Sequence, residues 1–256
     1  MLKHDLQDLV MAGVRWELSE TPFAMECAPQ PSHMGDSETD LPNERRTHTS
    51  IVPPIAPTQS VSCDTAVAMA ARPTDTDSLN RMISEFNHPL RNGATNTVLG
   101  HIAPNPNGVV IITDVPSSDD DASGHILSGA AGEMLDKMLV AIGMSRDNVS
   151  ILPLVFWRTP GGRTPSRHEL DLTRPFVNRM LELLNPHIII TLGALPASEI
   201  GNITLPRGHG VITEHTSGAK IMPIYHPNYL MLKPTAKRDV WNALQTVQNM
   251  LKCADK

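Results

Sequence analysis

Four short runs of β-branched and aliphatic residues set the architecture of this 256-residue chain: VVIIT (109–113), VSILPLVF (149–156), HIIITLG (187–193) and AKIMPI (219–224). Each is too short for a helix of ordinary length and too uniformly apolar for a strand with one wet face. Each therefore reads as a strand buried on both faces. The stretches between them carry helical spacing. In AAGEMLDKMLVAIG (130–143), Met134, Leu135, Met138, Leu139 and Ile142 share a face, and Gly143 is a C-terminal stop. Ser166 and Glu169 form a capping-box pair opening a helix towards Leu184, with Pro175 predicted to kink or restart it and Thr173 as the new cap. Val240, Leu244, Val247 and Leu251 mark a last helix. Strands joined by helices require right-handed crossovers. The predicted fold is α/β: a three-layer sandwich with a central, mostly parallel four-stranded sheet flanked by helices. In such sheets ligands bind beyond the carboxyl ends of the strands.

The rest of the chain differs in character. Residues 1–27 carry a helical stripe (Leu2, Leu6, Leu9, Val10, Val14, Leu18), read as a helix that packs on the main domain. Residues 28–78 hold seven prolines and no Phe, Trp or Tyr, and read as a disordered linker, which leaves 79–256 as the folded domain. Residues 1–99 have 7 Lys and Arg against 13 Asp and Glu, whereas residues 100–256 have 14 of each. The net charge of −6 thus comes from the N-terminal part and does not count against an anionic partner for the domain. Cys27, Cys63 and Cys253 are too scattered for a disulfide framework. With no apolar run of membrane-spanning length and no signal-peptide pattern, the expected protein is soluble, cytoplasmic and monomeric.

The segments after the strands carry the chemistry: TDVPSSDDD (113–121), FWRTPGGRTP (156–165), LGALPA (192–197) and IYHPNYLM (224–231). Together with GHILSGAAGEMLDKML (124–139), they resemble in order the motifs of the uracil-DNA glycosylase superfamily, family 4 above all. TDVPS stands where that family has GEAPG, WRTPGGRTP where it has (C/W)RPPGNRxP, IITLGALPA where it has its strand and LGxxA turn, and YHPNYLM where it has HPxxLL. The likeness covers roughly residues 80–252.

The resemblance implies an enzyme that hydrolyses the N-glycosidic bond of a flipped uracil or related damaged base in DNA. Asp114 then takes the place of the catalytic carboxylate on the sugar side. His226 donates a hydrogen bond to the base oxygen as negative charge develops. Leu127 and Pro153 line the base pocket, Leu230 wedges into the duplex with help from Met231, and Arg158 and Arg163 contact phosphates. A five-arginine stretch, 158–179, forms a phosphate rim, and Arg207, Lys220, Lys233, Lys237 and Arg238 form a second basic set. The pattern departs from the family at identifiable points. Leu127 stands where the family stacks a Phe on uracil, Pro153 where an Asn reads its edge, and Thr113 and Ser117 replace glycines. Family 4 members hold an iron–sulfur cluster on cysteines, and Trp157 and Thr173 occupy matching positions here, so no cluster is expected. Two other functions compete: a catalytically impaired DNA-binding member of the superfamily, and a hydrolase of nucleosides or other small molecules on the same scaffold.

Overall fold

The computed structural model describes residues 62–254; the helix expected within 1–20, and the expected linker as far as residue 61, lie outside them. Five strands form one sheet in the order β2-β1-β3-β5-β4. They are β1 (Val109–Thr113), β2 (Val149–Pro153), β3 (Ile188–Leu192), β4 (Thr213–Glu214) and β5 (Lys220–Ile224). The helices are α1 (Cys63–Ala70), α2 (Thr76–Glu85), α3 (Ser118–Ser123), α4 (Ala130–Ala141), α5 (Arg167–Leu184), α6 (Ala194–Gly201), α7 (Pro227–Leu232) and α8 (Lys237–Ala254). β1 pairs in parallel with β2 and β3, and β3 with β5. The sheet has one strand more than the sequence indicates. β4 is only two residues long and antiparallel to β5, too short to leave an apolar signature, and a Glu214–Lys220 ion pair of 3.0 Å fastens it.

Alternation along the strands divides the core. Val110, Ile112, Leu152, Ile189 and Ile221 face one way, onto α1, α2, α5 and α6. Val109, Ile111, Ile151, Ile190 and Met222 face the other way, onto α4, α7 and α8. This is the period of 2 that places successive side chains on opposite faces. Val240, Leu244 and Val247 are buried on α8 as their spacing predicts, and Gly143 follows α4 with φ +75°. β2 ends at Pro153, short of the expected residue 156. Beyond it the chain turns, and the Leu154 amide donates to the carbonyls of Thr113 and Asp114, both at 3.0 Å.

Two sequence expectations need correction. Residues 63–78 are not a linker: α1 and the start of α2 fold there, capped by Ser62 and Asp75 and burying Ala66, Ala70 and Leu79. Small residues let α1 lie close to α5, which a count of aromatics misses. The helix containing Pro175 neither restarts nor ends; α5 is continuous through it. The Thr173 hydroxyl is not a cap but donates back to the carbonyls of Glu169 and Leu170 at 3.4 and 3.1 Å. An internal proline costs about 3 kcal/mol, while each fully buried aliphatic or aromatic side chain contributes about 1.5–3 kcal/mol. Leu172, Phe176, Val177 and Met180 on this helix therefore outweigh the proline.

An aromatic knot ties α5 to the segment after β2. Trp157 stacks on His88 with centroids 4.8 Å apart, and its indole N–H donates to the Thr97 hydroxyl at 3.0 Å. His88 Nδ1 accepts from the Leu90 amide, so Nε2 carries the proton and donates to the Glu169 carbonyl at 3.1 Å. Phe86 packs edge-on against Phe176 at 4.9 Å. We expect Trp157→Ala to cost about 3–5 kcal/mol in chemical denaturation, and Trp157→Phe distinctly less.

Candidate active site

The carboxyl ends of the parallel strands open on a cavity of about 250 Å³, lined among others by Thr113, Asp114, Asp119, Leu127, Ala130, His226 and Asn228. Drug-sized ligands occupy roughly 300–1,000 Å³, so this cavity suits a smaller molecule. Asp114 directly follows β1, and His226 caps the N-terminus of α7 directly after Tyr225. Asp114 Oδ1 lies 3.8 Å from His226 Nε2. The two residues stand side by side on one wall of the cavity rather than facing each other across it.

The imidazole is held on two sides. The Asn228 amide donates to Nδ1 at 3.1 Å, and Nε2 lies 3.2 Å from the Thr113 hydroxyl. Beside it lies Gly193, in the turn between β3 and α6. Gly193 has φ +95°, and a Cβ there would come within 3.4 Å of the His226 Cβ. Burial lowers the His226 pKa below its ordinary value, against the pull of Asp114 and Asp120, so the ring is neutral at neutral pH. Burial raises the Asp114 pKa above the usual carboxylate range, against the opposing effect of His226.

The opposite wall is fixed by its backbone. Leu127 is buried, with φ +49°, a left-handed conformation uncommon for any residue that carries a Cβ. Arg146 holds it there, donating to the carbonyls of Ile126 and Leu127 at 3.0 and 2.7 Å while paired to Asp136 at 2.7 Å. Gly132 packs so close that a Cβ would collide with the Leu127 carbonyl. Asp120 ties the two loops together: it accepts from the Ser117 amide at 3.0 Å and from the Ser128 amide and hydroxyl at 2.7 and 2.9 Å. The sequence reading missed Asp120, Arg146 and Asn228. For Asp120 a signal existed, since Ser117 and Asp120 have capping-box spacing and form that box at the start of α3.

Other candidates lie elsewhere. Pro153 is buried at the end of β2, in register with Thr113, and is not among the cavity-lining side chains. Leu230 is 1% exposed and packs in the core; the exposed apolar side chains of its segment are Tyr229, Met231 and above all Leu232, at 85%. Arg163 is not free for a phosphate. It leaves the Gly161–Gly162 turn, where both glycines have positive φ, and grips Glu169 through two bonds of 2.8 and 2.6 Å. Arg167 and Arg174 pair with Glu199, and Arg179 with Glu182 and the Pro73 carbonyl. Of the expected arginine rim, Arg158 alone has no ion pair among the described residues. Arg207, Lys233, Lys237 and Arg238 are likewise unpaired among those residues, and all four are exposed.

A family model described as the uracil DNA glycosylase superfamily matches residues 99–245. The chain belongs to this superfamily. It is 31% identical over 148 residues to a type-4 uracil-DNA glycosylase of Thermotoga maritima, covering 56% of this chain and 76% of the relative. It is 30% identical over 140 residues to that of Archaeoglobus fulgidus (51% and 70%) and 29% over 154 residues to that of Sulfurisphaera tokodaii (56% and 70%). The chain is thus an enzyme of the uracil-DNA glycosylase family, a DNA repair glycosylase. No helix among the described residues is long and apolar enough to cross a membrane.

The cluster that family 4 carries does not fit the residues present at the matching positions. Such a cluster needs thiolates. Here the Trp157 indole and Thr173 hydroxyl are buried and hydrogen-bonded within the protein, and His88 and Phe86 fill the space beside them. Cys63 is exposed on α1.

These charges make two pH experiments informative. The Arg163 pair, the main cause, depresses the Glu169 pKa to about 2 from an ordinary 4.5. Its stabilisation is therefore complete above about pH 4.5 and is lost as pH falls towards 2. Glu169→Gln should lower the melting temperature at pH 7, with the gap to wild type closing below pH 4.5. Asp114 has the opposite sign: the native state holds its proton more tightly than the unfolded chain, so ionising it on the way up in pH costs stability. Asp114→Asn should melt no lower than wild type at pH 7, and its advantage should shrink at pH 4.

Proposed function

We propose that this enzyme excises uracil, or a closely related pyrimidine-type base, from DNA, and that the extruded nucleotide enters the cavity between Asp114, His226 and Leu127. The observation that carries the reading is the carboxylate and the neutral imidazole, 3.8 Å apart on one wall of a small cavity at the strand ends. The bond to be broken develops positive charge on the sugar and negative charge on the departing base. Asp114 supplies an anion to the first and orients water. The His226 Nε2–H, left as donor because Nδ1 accepts from the Asn228 backbone amide, is shared between the Thr113 hydroxyl, 3.2 Å away, and the departing base. Leu127 packs against the base in place of an aromatic ring.

Polar readout does not come from Pro153, which lies off the cavity. Asn228 supplies the one side-chain amide among the described lining residues. An amide offers a donor and an acceptor together, the pattern on the edge of uracil. The exposed Met231 and Leu232, rather than Leu230, are the side chains of α7 available to enter a duplex, and Lys233, Lys237 and Arg238 beside them are free to meet phosphates. DNA on this reading lies along α7 and the start of α8, with Arg158 as a further contact. The impaired-binder alternative rests on the lost Phe and Asn, and Asn228 answers the second loss.

Incubation with uracil-containing single- and double-stranded DNA, followed by alkali, should give strand breaks at uracil. Asp114→Ala and His226→Ala should each slow excision by about 10²–10³-fold, and Asn228→Leu should reduce preference for uracil over cytosine at least about tenfold. No breaks with uracil substrates would exclude the proposed excision of uracil. Salt-sensitive DNA binding that persists without excision would select the binding module.

A further inference from the structure

We propose that Thr113 is a positioning residue of this site, its single hydroxyl bridging His226 and Asp114 and holding both in the orientation that excision requires. The inference rests on the glycosylase reading of the cavity and goes beyond it, to a side chain that a glycine at this position could not replace.

Thr113 is the last residue of β1 and shares its face with Val109 and Ile111, so its side chain points to the α4–α7 side, where the cavity lies. It is 3% exposed. The order of donors is set by the geometry. A backbone N–H can only donate, so the Asn228 amide makes His226 Nδ1 an acceptor, and the neutral ring carries its proton on Nε2. Nε2–H then donates to Thr113 Oγ1 over 3.2 Å. The hydroxyl's one proton is left for Asp114 Oδ1, a long contact of 3.5 Å. Catalytic hydrogen bonds are often long before substrate arrives. The chain therefore runs in one direction, Asn228 amide to imidazole to hydroxyl to carboxylate.

This bridge has two effects. The rotamer of a β-branched residue at a strand end is restricted, so the hydroxyl fixes the spacing of two groups that come from strands two positions apart. It also hydrogen-bonds the charged form of Asp114 and so favours that form. The other titratable groups lining the cavity are the carboxylates of Asp119 and Asp120, from α3, and His226, from α7; the α4 side contributes only Gly129, Ala130 and Ala131. No cation lines it among the described residues, so the hydroxyl has no charged substitute there.

The test compares Thr113→Val, which keeps the shape and removes the hydroxyl, with Thr113→Ser, which keeps the hydroxyl. On uracil-containing DNA, Thr113→Val should lower kcat about 10–100-fold with KM within about twofold of wild type, and should move the acid limb of the kcat–pH profile to higher pH. Thr113→Ser should restore kcat to within about threefold and return the limb to its wild-type position. NMR titration of the Asp114 carboxyl, which needs no substrate, should show an upward shift in Thr113→Val and not in Thr113→Ser. A Thr113→Val enzyme with wild-type kcat and pH profile would overturn the proposal. So would a Thr113→Ser enzyme as slow as the valine variant. If wild type excises no base at all, the function reading fails, and the titration still decides the bridge: an Asp114 pKa unmoved in Thr113→Val removes it.

Discussion

Parallel pairing of β1, β3 and β5 is what makes a site possible here. It brings the carboxyl ends of all three strands to one rim, so residues more than a hundred positions apart in sequence emerge together. Pairing alone does not join them. β1 and β5 are separated by β3, two strand spacings or about 10 Å. His226 crosses that distance over the end of β3, packed against the positive-φ turn at Gly193. The register of the sheet and the positive-φ turn at Gly193 lie behind the 3.2 Å contact with Thr113.

Around this crossing the protein uses its charges for itself. Asp120 spans Ser117 and Ser128, Arg146 clamps the Leu127 loop, and Arg163 and Glu169 close the glycine turn after β2. The first two of these hold the loops that line the cavity. The division of labour is visible on the surface. Arginines on α5 and the turn before it are occupied by carboxylates, while the lysines and arginines around α7 and the start of α8 stay open to solvent.

The strands and the place of Asp114 and His226 at the sheet's rim were legible because both kinds of signal are local. A run such as VVIIT can hardly be anything but a buried strand, and the residues just past its carboxyl end must sit at the rim. The direction of individual side chains was not legible in the same way. In YHPNYLM the motif singles out Leu230, but one turn of helix from His226 carries Leu230 inward and leaves Leu232 outside. Arg163 reads as a phosphate ligand until Glu169, six residues on, is seen to fold back against it. Pro175 reads as a break until the buried face of α5 is counted. The start of the domain was set too late because proline content was weighed above the small residues that let α1 pack. Each error concerns a tertiary partner that local pattern does not name.

The wall formed by Leu127 has a kinetic meaning. A leucine at positive φ persists because a guanidinium, a close glycine and a tied serine loop hold its backbone. On the proposed function, this wall of the base pocket is formed before any nucleic acid arrives. On that reading, the cost left to capture is unstacking the nucleotide, and it is least for lesions that already stack poorly.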